Sequence, residues 1–130
     1  MLDLEIVENE ITGTIIGCAI EVHRELGPGL LESVYESAIE IELLKQGLLV
    51  ERQIRLPVVY KGEQLKQNFI IDLLVERCVV VELKSIDKVT NIHLKQLLTY
   101  LKLSGKHVGL LLNFNVAHMK DGIFRTVHQL

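Results

Sequence analysis

The chain has 130 residues, 48% hydrophobic and 24% charged, a balance that suits one folded domain spanning 1–130 and excludes both a disordered chain and two ordinary domains. Its net charge is −3, but residues 1 to 51 hold eleven acids against Arg24 and Lys45 (−9), whereas the remainder holds six acids against twelve Lys and Arg (+6). Overall sign therefore does not exclude a polyanion partner, because local clustering sets the field that attracts phosphates.

From about Asn9 to Leu26, Ile11, Ile15, Cys18, Ala19, Val22 and Leu26 recur at helical spacing, and Gly27-Pro28 supplies the stop. A second helix is expected from Leu31 to Gln46, ended by Gly47, with Leu31, Val34, Ala38, Ile41 and Leu44 or Lys45 as its buried stripe. Glu32, Glu36 and Glu40 form a separate line at four-residue spacing, the pattern of a wet face, and the helix dipole favours a carboxylate at Glu32.

At Leu48 the period shifts toward two. Val50 to Tyr60 alternates as a strand with Pro57 at a bend or an edge, Lys61-Gly62-Glu63 turns the chain, and Leu65 to Val75 returns. A short polar turn, Glu76 to Cys78, leads into a third strand, Val79 to Lys84, which completes an antiparallel meander. Thr90 or Asn91 caps a third helix, about Asn91 to Leu103, with Ile92, Leu94, Leu97, Leu98, Leu101 and Leu103 as apolar positions and Gly105 as its end. The apolar run His107 to Phe114 is then a buried strand reached by a helical crossover and parallel to a neighbour, and Gly122 to His128 could add a short final strand. The order is α-α-β-β-β-α-β, an α/β domain with a mixed central sheet.

The hairpin from Asn68 to Lys84 places Asp72, Glu82 and Lys84 among Val, Ile and Leu. Glu82 and Lys84, two apart on a strand, project from one face. Pairing Val75 with Val79 sets Asp72 opposite Glu82, and opposite residues of an antiparallel pair share a face. Two buried carboxylates side by side are costly without a positive partner. Lys84 can supply part of that charge, and a hard divalent cation favours such oxygen ligands. A metal site and a buried ion-paired cluster both satisfy this spacing.

Other chemistries find little support. Cys18 and Cys78 have neither zinc spacing nor a disulfide framework, and Cys18 reads as a small buried hydrophobe. The five histidines make no paired-ligand motif, and no glycine-rich phosphate loop or nucleophile with a base is present. Met1-Leu-Asp-Leu-Glu lacks the basic region of a signal peptide, and no apolar run reaches a membrane span, so a cytoplasmic protein without membrane association is expected.

The segment His23-Arg-Glu-Leu-Gly-Pro-Gly-Leu-Leu-Glu-Ser-Val-Tyr35 resembles the motif of the GxxExxY protein family through Gly29, Glu32 and Tyr35. Tyr60-Lys-Gly62, Gln96-Leu-Leu-Thr-Tyr-Leu101 and Gly109-Leu-Leu-Leu-Asn-Phe114 are similar to the same family. Asp72 followed by Glu82-Leu83-Lys84 resembles the signature of the wider PD-(D/E)XK nuclease superfamily, with Ile71 where the naming proline would stand. Together these likenesses run from about Ile15 to Val127.

The resemblance implies a restriction-endonuclease-like core and a nuclease acting on DNA or, as a lesser option, RNA. It implies Mg²⁺ or Mn²⁺ held by Asp72, Glu82, the Leu83 carbonyl and Glu32, with Lys84 orienting water and Gln96 adding to the site. Tyr35, Tyr100 and His23 are secondary candidates. The small grip of one such domain on a duplex favours a homodimer. A different class of function, a binding or assembly module that keeps the nuclease fold without efficient turnover, fits the acidic N-terminal half.

Overall fold

The computed structural model describes residues 4–129, with side chains from Val7 onward. Its elements are α1 (Leu4–Leu26), α2 (Glu32–Lys45), β1 (Val50–Tyr60), β2 (Glu63–Val75), β3 (Val79–Lys84), α3 (Asn91–Ser104), β4 (Val108–Asn113), a 3₁₀ turn (Met119–Gly122) and β5 (Ile123–Val127). The five strands form one sheet in the order β1-β2-β3-β4-β5. All neighbours are antiparallel except β3 and β4, which the α3 crossover leaves parallel. This is the mixed α/β architecture expected from the sequence, including the short fifth strand.

Helices cover both faces of the sheet. On one side α1 and α2 bury Ile15, Val22, Tyr35, Ile39 and Leu43 against Leu73, Val79, Val81, Leu83 and Leu110. On the other, α3 buries Leu97, Tyr100 and Leu101 against Leu56, Ile71, Val80 and Leu111. Strands β3 and β4 sit between these layers and are apolar along nearly their whole length, as strands buried on both faces must be. Gly109 allows the closest approach, since a Cβ there would press on Leu97 and Leu101 of α3.

Several expectations about the helices change. Helix α1 begins by Leu4, five residues before the Asn9 start. The buried stripe of α2 is Tyr35, Ile39 and Leu43 with Glu36, whereas Val34, Ile41 and Leu44 are exposed and Leu31, 74% exposed, precedes the helix. Apolar residues lie on both flanks of α2, so periodicity alone could not select the face. Tyr35 decides it by stacking on Phe114, with ring centroids 4.4 Å apart and planes 7° from parallel. That rotation carries Glu36 out of the expected wet face and inward, leaving it 7% exposed. On α3, Ile92 and Leu103 are exposed, and Tyr100 takes a buried place instead. Thr90 caps α3, its N–H donating to His93 Nδ1 at 2.9 Å.

The β2–β3 hairpin has the expected register, with Val75 opposite Val79, Leu74 opposite Val80 and Leu73 opposite Val81. Pairing stops there, one step short of Asp72 and Glu82. The β1–β2 ladder is interrupted at the same place: Arg52 pairs with Leu73 and Ile54 with Ile71, while Gln53, opposite Asp72, is unpaired and has a left-handed φ of 52°. Side-chain alternation reverses across this point. Arg52 reaches the α2 side, yet Ile54, two residues on, packs on the α3 side. The strand pair thus turns over at Gln53 and Asp72, and the sheet opens around one carboxylate.

Candidate active site

Asp72 and Glu82 replace the missing ladder bonds with their own side chains. The Asp72 N–H donates to Glu82 Oε1 at 3.1 Å, and the Leu83 N–H donates to Asp72 Oδ2 at 2.9 Å. Each carboxyl therefore crosses to the opposite strand where β2 parts from β3. Glu82 stays on the α3 side by alternation with Val80, whereas Asp72 sits in the gap and opens toward α2. The shared face expected for the pair is in fact a shared breach in the sheet.

Burial dominates the electrostatics. Glu82 is 6% exposed, and desolvation, followed by the Asp72 charge, pushes its carboxyl up to about 8. Asp72 is also raised, chiefly by desolvation, against the lowering effect of the Leu83 N–H and of the Lys84 charge. Lys84 is half-buried and makes no ion pair within 4 Å among the described residues, so it acts on the acids at longer range.

A hollow of about 440 Å³ opens beside Asp72, lined also by Glu32, Ser33, Glu36, Gln53 and Leu83. Glu32, at the first turn of α2, is exposed at its rim and accepts the Ser85 N–H at 3.1 Å. Ser85 Oγ in turn donates to the Leu30 carbonyl at 2.6 Å. The chain leaving Lys84 is thus tied to the segment that enters α2, which brings Glu32 to the end of β3.

Residues that the sequence did not single out complete this setting. Arg52 donates to Glu36 Oε2 from Nη2 at 2.6 Å and from Nε at 3.0 Å, and from Nη1 to Glu40 at 3.0 Å. Gln53 Nε2 donates to the other oxygen of Glu36 at 2.7 Å. The buried Asn113 brackets Ile86, accepting its N–H at 3.1 Å and donating to its carbonyl at 3.0 Å. A polar residue ending an apolar strand was the available signal for Asn113. Glu36 had none, because its burial depends on the rotation of α2.

The remaining sequence candidates divide. Tyr100 is buried on α3, and its hydroxyl pKa is raised by desolvation and by the Glu82 and Asp72 charges, which places it near the acids. Gln96, one turn earlier, is exposed. Tyr35 is a core residue whose hydroxyl donates to the Gly27 carbonyl at 2.6 Å and accepts the Leu30 N–H at 3.1 Å. It holds the loop that delivers Glu32. His23 lies elsewhere, its Nε2 donating to the Val116 carbonyl at 2.7 Å.

The chemistry of the donor set fits a hard divalent cation. Two acids crowd together at a cost that positive charge would relieve, the nearby ligands are oxygens, and Leu83 lines the hollow beside Asp72. Among the described residues, no three His, Cys, Asp or Glu side chains already converge at metal-holding spacing. Such an ion would therefore rest on few protein ligands and keep much of its water, as Mg²⁺ does. No helix among the described residues is long and apolar enough to cross a membrane.

No curated protein and no solved structure matches the chain. A family model does, described as the PD-(D/E)XK nuclease superfamily, over residues 9–126. That span contains β1 to β4 and all of β5 but Val127, the Asp72 breach and the Glu82-Leu83-Lys84 end of β3. Members of this superfamily generally use divalent metal ions, and its name implies a nucleic-acid substrate. With nearly its whole length matched, the chain belongs to the PD-(D/E)XK nuclease superfamily.

Proposed function

We propose that the chain is a Mg²⁺- or Mn²⁺-dependent nuclease of the GxxExxY group, 1–130 forming one nuclease domain, that hydrolyses phosphodiester bonds of DNA. The observation that carries this reading is the crossed pair of acids at the breach, with Lys84 two residues from Glu82. A buried carboxyl raised to about 8 is poorly placed for stability and well placed to exchange its proton for a cation.

In this reading Asp72, Glu82 and the Leu83 carbonyl hold the ion, and Glu32 faces it across the hollow. A bound divalent ion supplies polarisation of the phosphoryl oxygens and a lowered pKa for the attacking water. Lys84 offsets negative charge as it builds on the phosphate, and Gln96 offers an amide donor to the same group. Tyr35 and Ser85 hold the loops on which Glu32 and Lys84 depend, while Arg52 pairs with Glu36 beside the hollow.

A second reading, a binding or assembly module without turnover, draws on one observation. Both acids are engaged with backbone N–H groups, so the pair can act as a purely structural device that splits the sheet. Plasmid and oligonucleotide cleavage with Mg²⁺ or Mn²⁺ separates the two. We expect cleavage by the wild type and a loss of about 100-fold or more in Asp72→Ala, Glu82→Ala and Lys84→Ala. Cleavage that survives all three substitutions would sink the site, and metal binding with no cleavage of DNA or RNA would decide for the module.

A further inference from the structure

Beyond β3 the β1–β2 hairpin continues alone. Residues from Ile54 to Tyr60 and from Glu63 to Ile71 pair with each other, while β3 pairs only with Leu73–Val75. The base of this hairpin packs on α3 through Ile54, Leu56, Phe69 and Ile71, and the four residues from Pro57 to Tyr60, at ~3.3 Å each, carry a two-stranded tip about 13 Å beyond it. Residues 59 to 68 are exposed without interruption, with Tyr60 61% exposed at the tip. Lys61 and Gly62, both with positive φ (49° and 82°), form the tight turn there. The ladder shifts register between Pro57 and Val59, a bulge that bends the arm.

The arm's charge opposes that of the chain. Arg55, Lys61 and Lys66 stand against the single acid Glu63, in a protein of net charge −3. Among the described residues none of these three cations has a carboxylate within 4 Å. The same holds for most Lys and Arg among the described residues, whereas Arg24, Arg52 and Arg77 each have at least one such partner. Arg55 lies opposite Ile70 on the face away from Ile54 and Leu56, which pack toward α3, so it projects on the side where Asp72 opens into the hollow.

We propose that this arm is the element that grips duplex DNA, lying as a two-stranded ribbon in the major groove with Arg55, Lys61 and Lys66 on the flanking phosphates. The inference rests on the nuclease reading of the hollow and extends it to substrate form. A β-ribbon fits the B-form major groove, about 12 Å wide, whereas the deep, narrow major groove of A-form RNA does not admit it. Single-stranded nucleic acid is bound by rows of stacking aromatics, and Tyr60 is the one exposed ring on the arm. A second copy's arm would present the same uncompensated cations and be repelled.

The test is fluorescence anisotropy in EDTA, where hydrolysis does not intervene, using a 20-base-pair DNA duplex, its single strand and the matching RNA duplex. Wild type should prefer the DNA duplex. Arg55→Ala/Lys61→Ala/Lys66→Ala should lose at least tenfold in affinity for it, and the salt slope should shrink by roughly 2.7, about 0.9 for each phosphate contact. Lys61→Glu/Lys66→Glu, on the exposed tip, should lose more while keeping the wild-type melting temperature. Unchanged affinity in both variants overturns the proposal, as does equal or tighter binding of the single strand or RNA duplex. So does loss of a wild-type dimer, seen by light scattering, in place of loss of DNA. The Mg²⁺ cleavage assay reads separately: wild-type cleavage with arm-independent binding rejects the arm alone, and arm-dependent duplex binding without cleavage rejects the hydrolytic reading alone.

Discussion

Glu82 is the residue on which the energetics of the breach turn. It is a carboxyl almost wholly withdrawn from water, beside another carboxyl, and bonded to a single backbone N–H. Its folded-state pKa of about 8 stands above the ordinary value of 4.5, so between those values the folded chain holds a proton that the unfolded chain has released. Stability then falls as pH rises through this window, because unfolding releases that proton. Metal-free wild type should therefore melt progressively lower from pH 5 to pH 8. Glu82→Gln, which keeps the acceptor and removes the charge, should flatten most of that slope and gain roughly 2–4 kcal/mol at pH 8. Denaturant titrations at both pH values check this, and an unchanged slope in the variant would show that Glu82 ionises freely. Asp72 is shifted in the same direction and contributes to the residual slope.

Among the elements, α2 and the β1–β2 ribbon do most to shape the site. The α2 entry loop is held by the Tyr35 hydroxyl, which joins the Gly27 carbonyl to the Leu30 N–H, and by Ser85 on the Leu30 carbonyl. Tyr35→Phe keeps the stack on Phe114 and removes only the hydroxyl. It should cost about 1–2 kcal/mol in chemical denaturation, from the unsatisfied loop groups. Cleavage should fall with it, since Glu32 rides on that loop. A second element-scale constraint lies at Gly122, where any Cβ would collide with the Asn113 carbonyl. Because Asn113 also clamps Ile86, Gly122→Ala should both lower the melting temperature and loosen the segment that follows Lys84. A melting temperature equal to wild type would show that the 3₁₀ turn shifts freely.

At the scale of the whole molecule, two helical layers enclose β3 and β4 and leave the outer reach of β1 and β2 bare. The acids sit where the covered part of the sheet meets the uncovered part. A cation bound there stabilises the folded state in proportion to the logarithm of its concentration over its Kd, about 2.7 kcal/mol at a hundredfold excess. Thermal melts with Mg²⁺ or Mn²⁺ should therefore show a rise in wild type that disappears in Asp72→Asn. An equal rise in that variant would place the ion elsewhere. Family membership is consistent with this layout, the matched span running from α1 into β5.

Much of this was legible in the sequence because it depended on local pattern. The β2–β3 register followed from a three-residue turn between two apolar runs, and the parallel β3–β4 pair from a helix between two strands too apolar to face water. Glycines at 27, 47 and 105 marked helix ends through their left-handed φ. Asp72, Glu82 and Lys84 stood out as charges in strands of Val, Ile and Leu. What only the tertiary structure decided were the choices between locally equivalent faces. The rotation of α2 depended on a ring 79 residues away, Phe114, and with it went the burial of Glu36 and its pairing with Arg52. The turnover at Gln53 and Asp72 was likewise invisible, since a left-handed Gln has no signature in composition or period. A sequence states which residues prefer to leave water, but which of two apolar flanks is buried depends on partners that only the folded chain brings together.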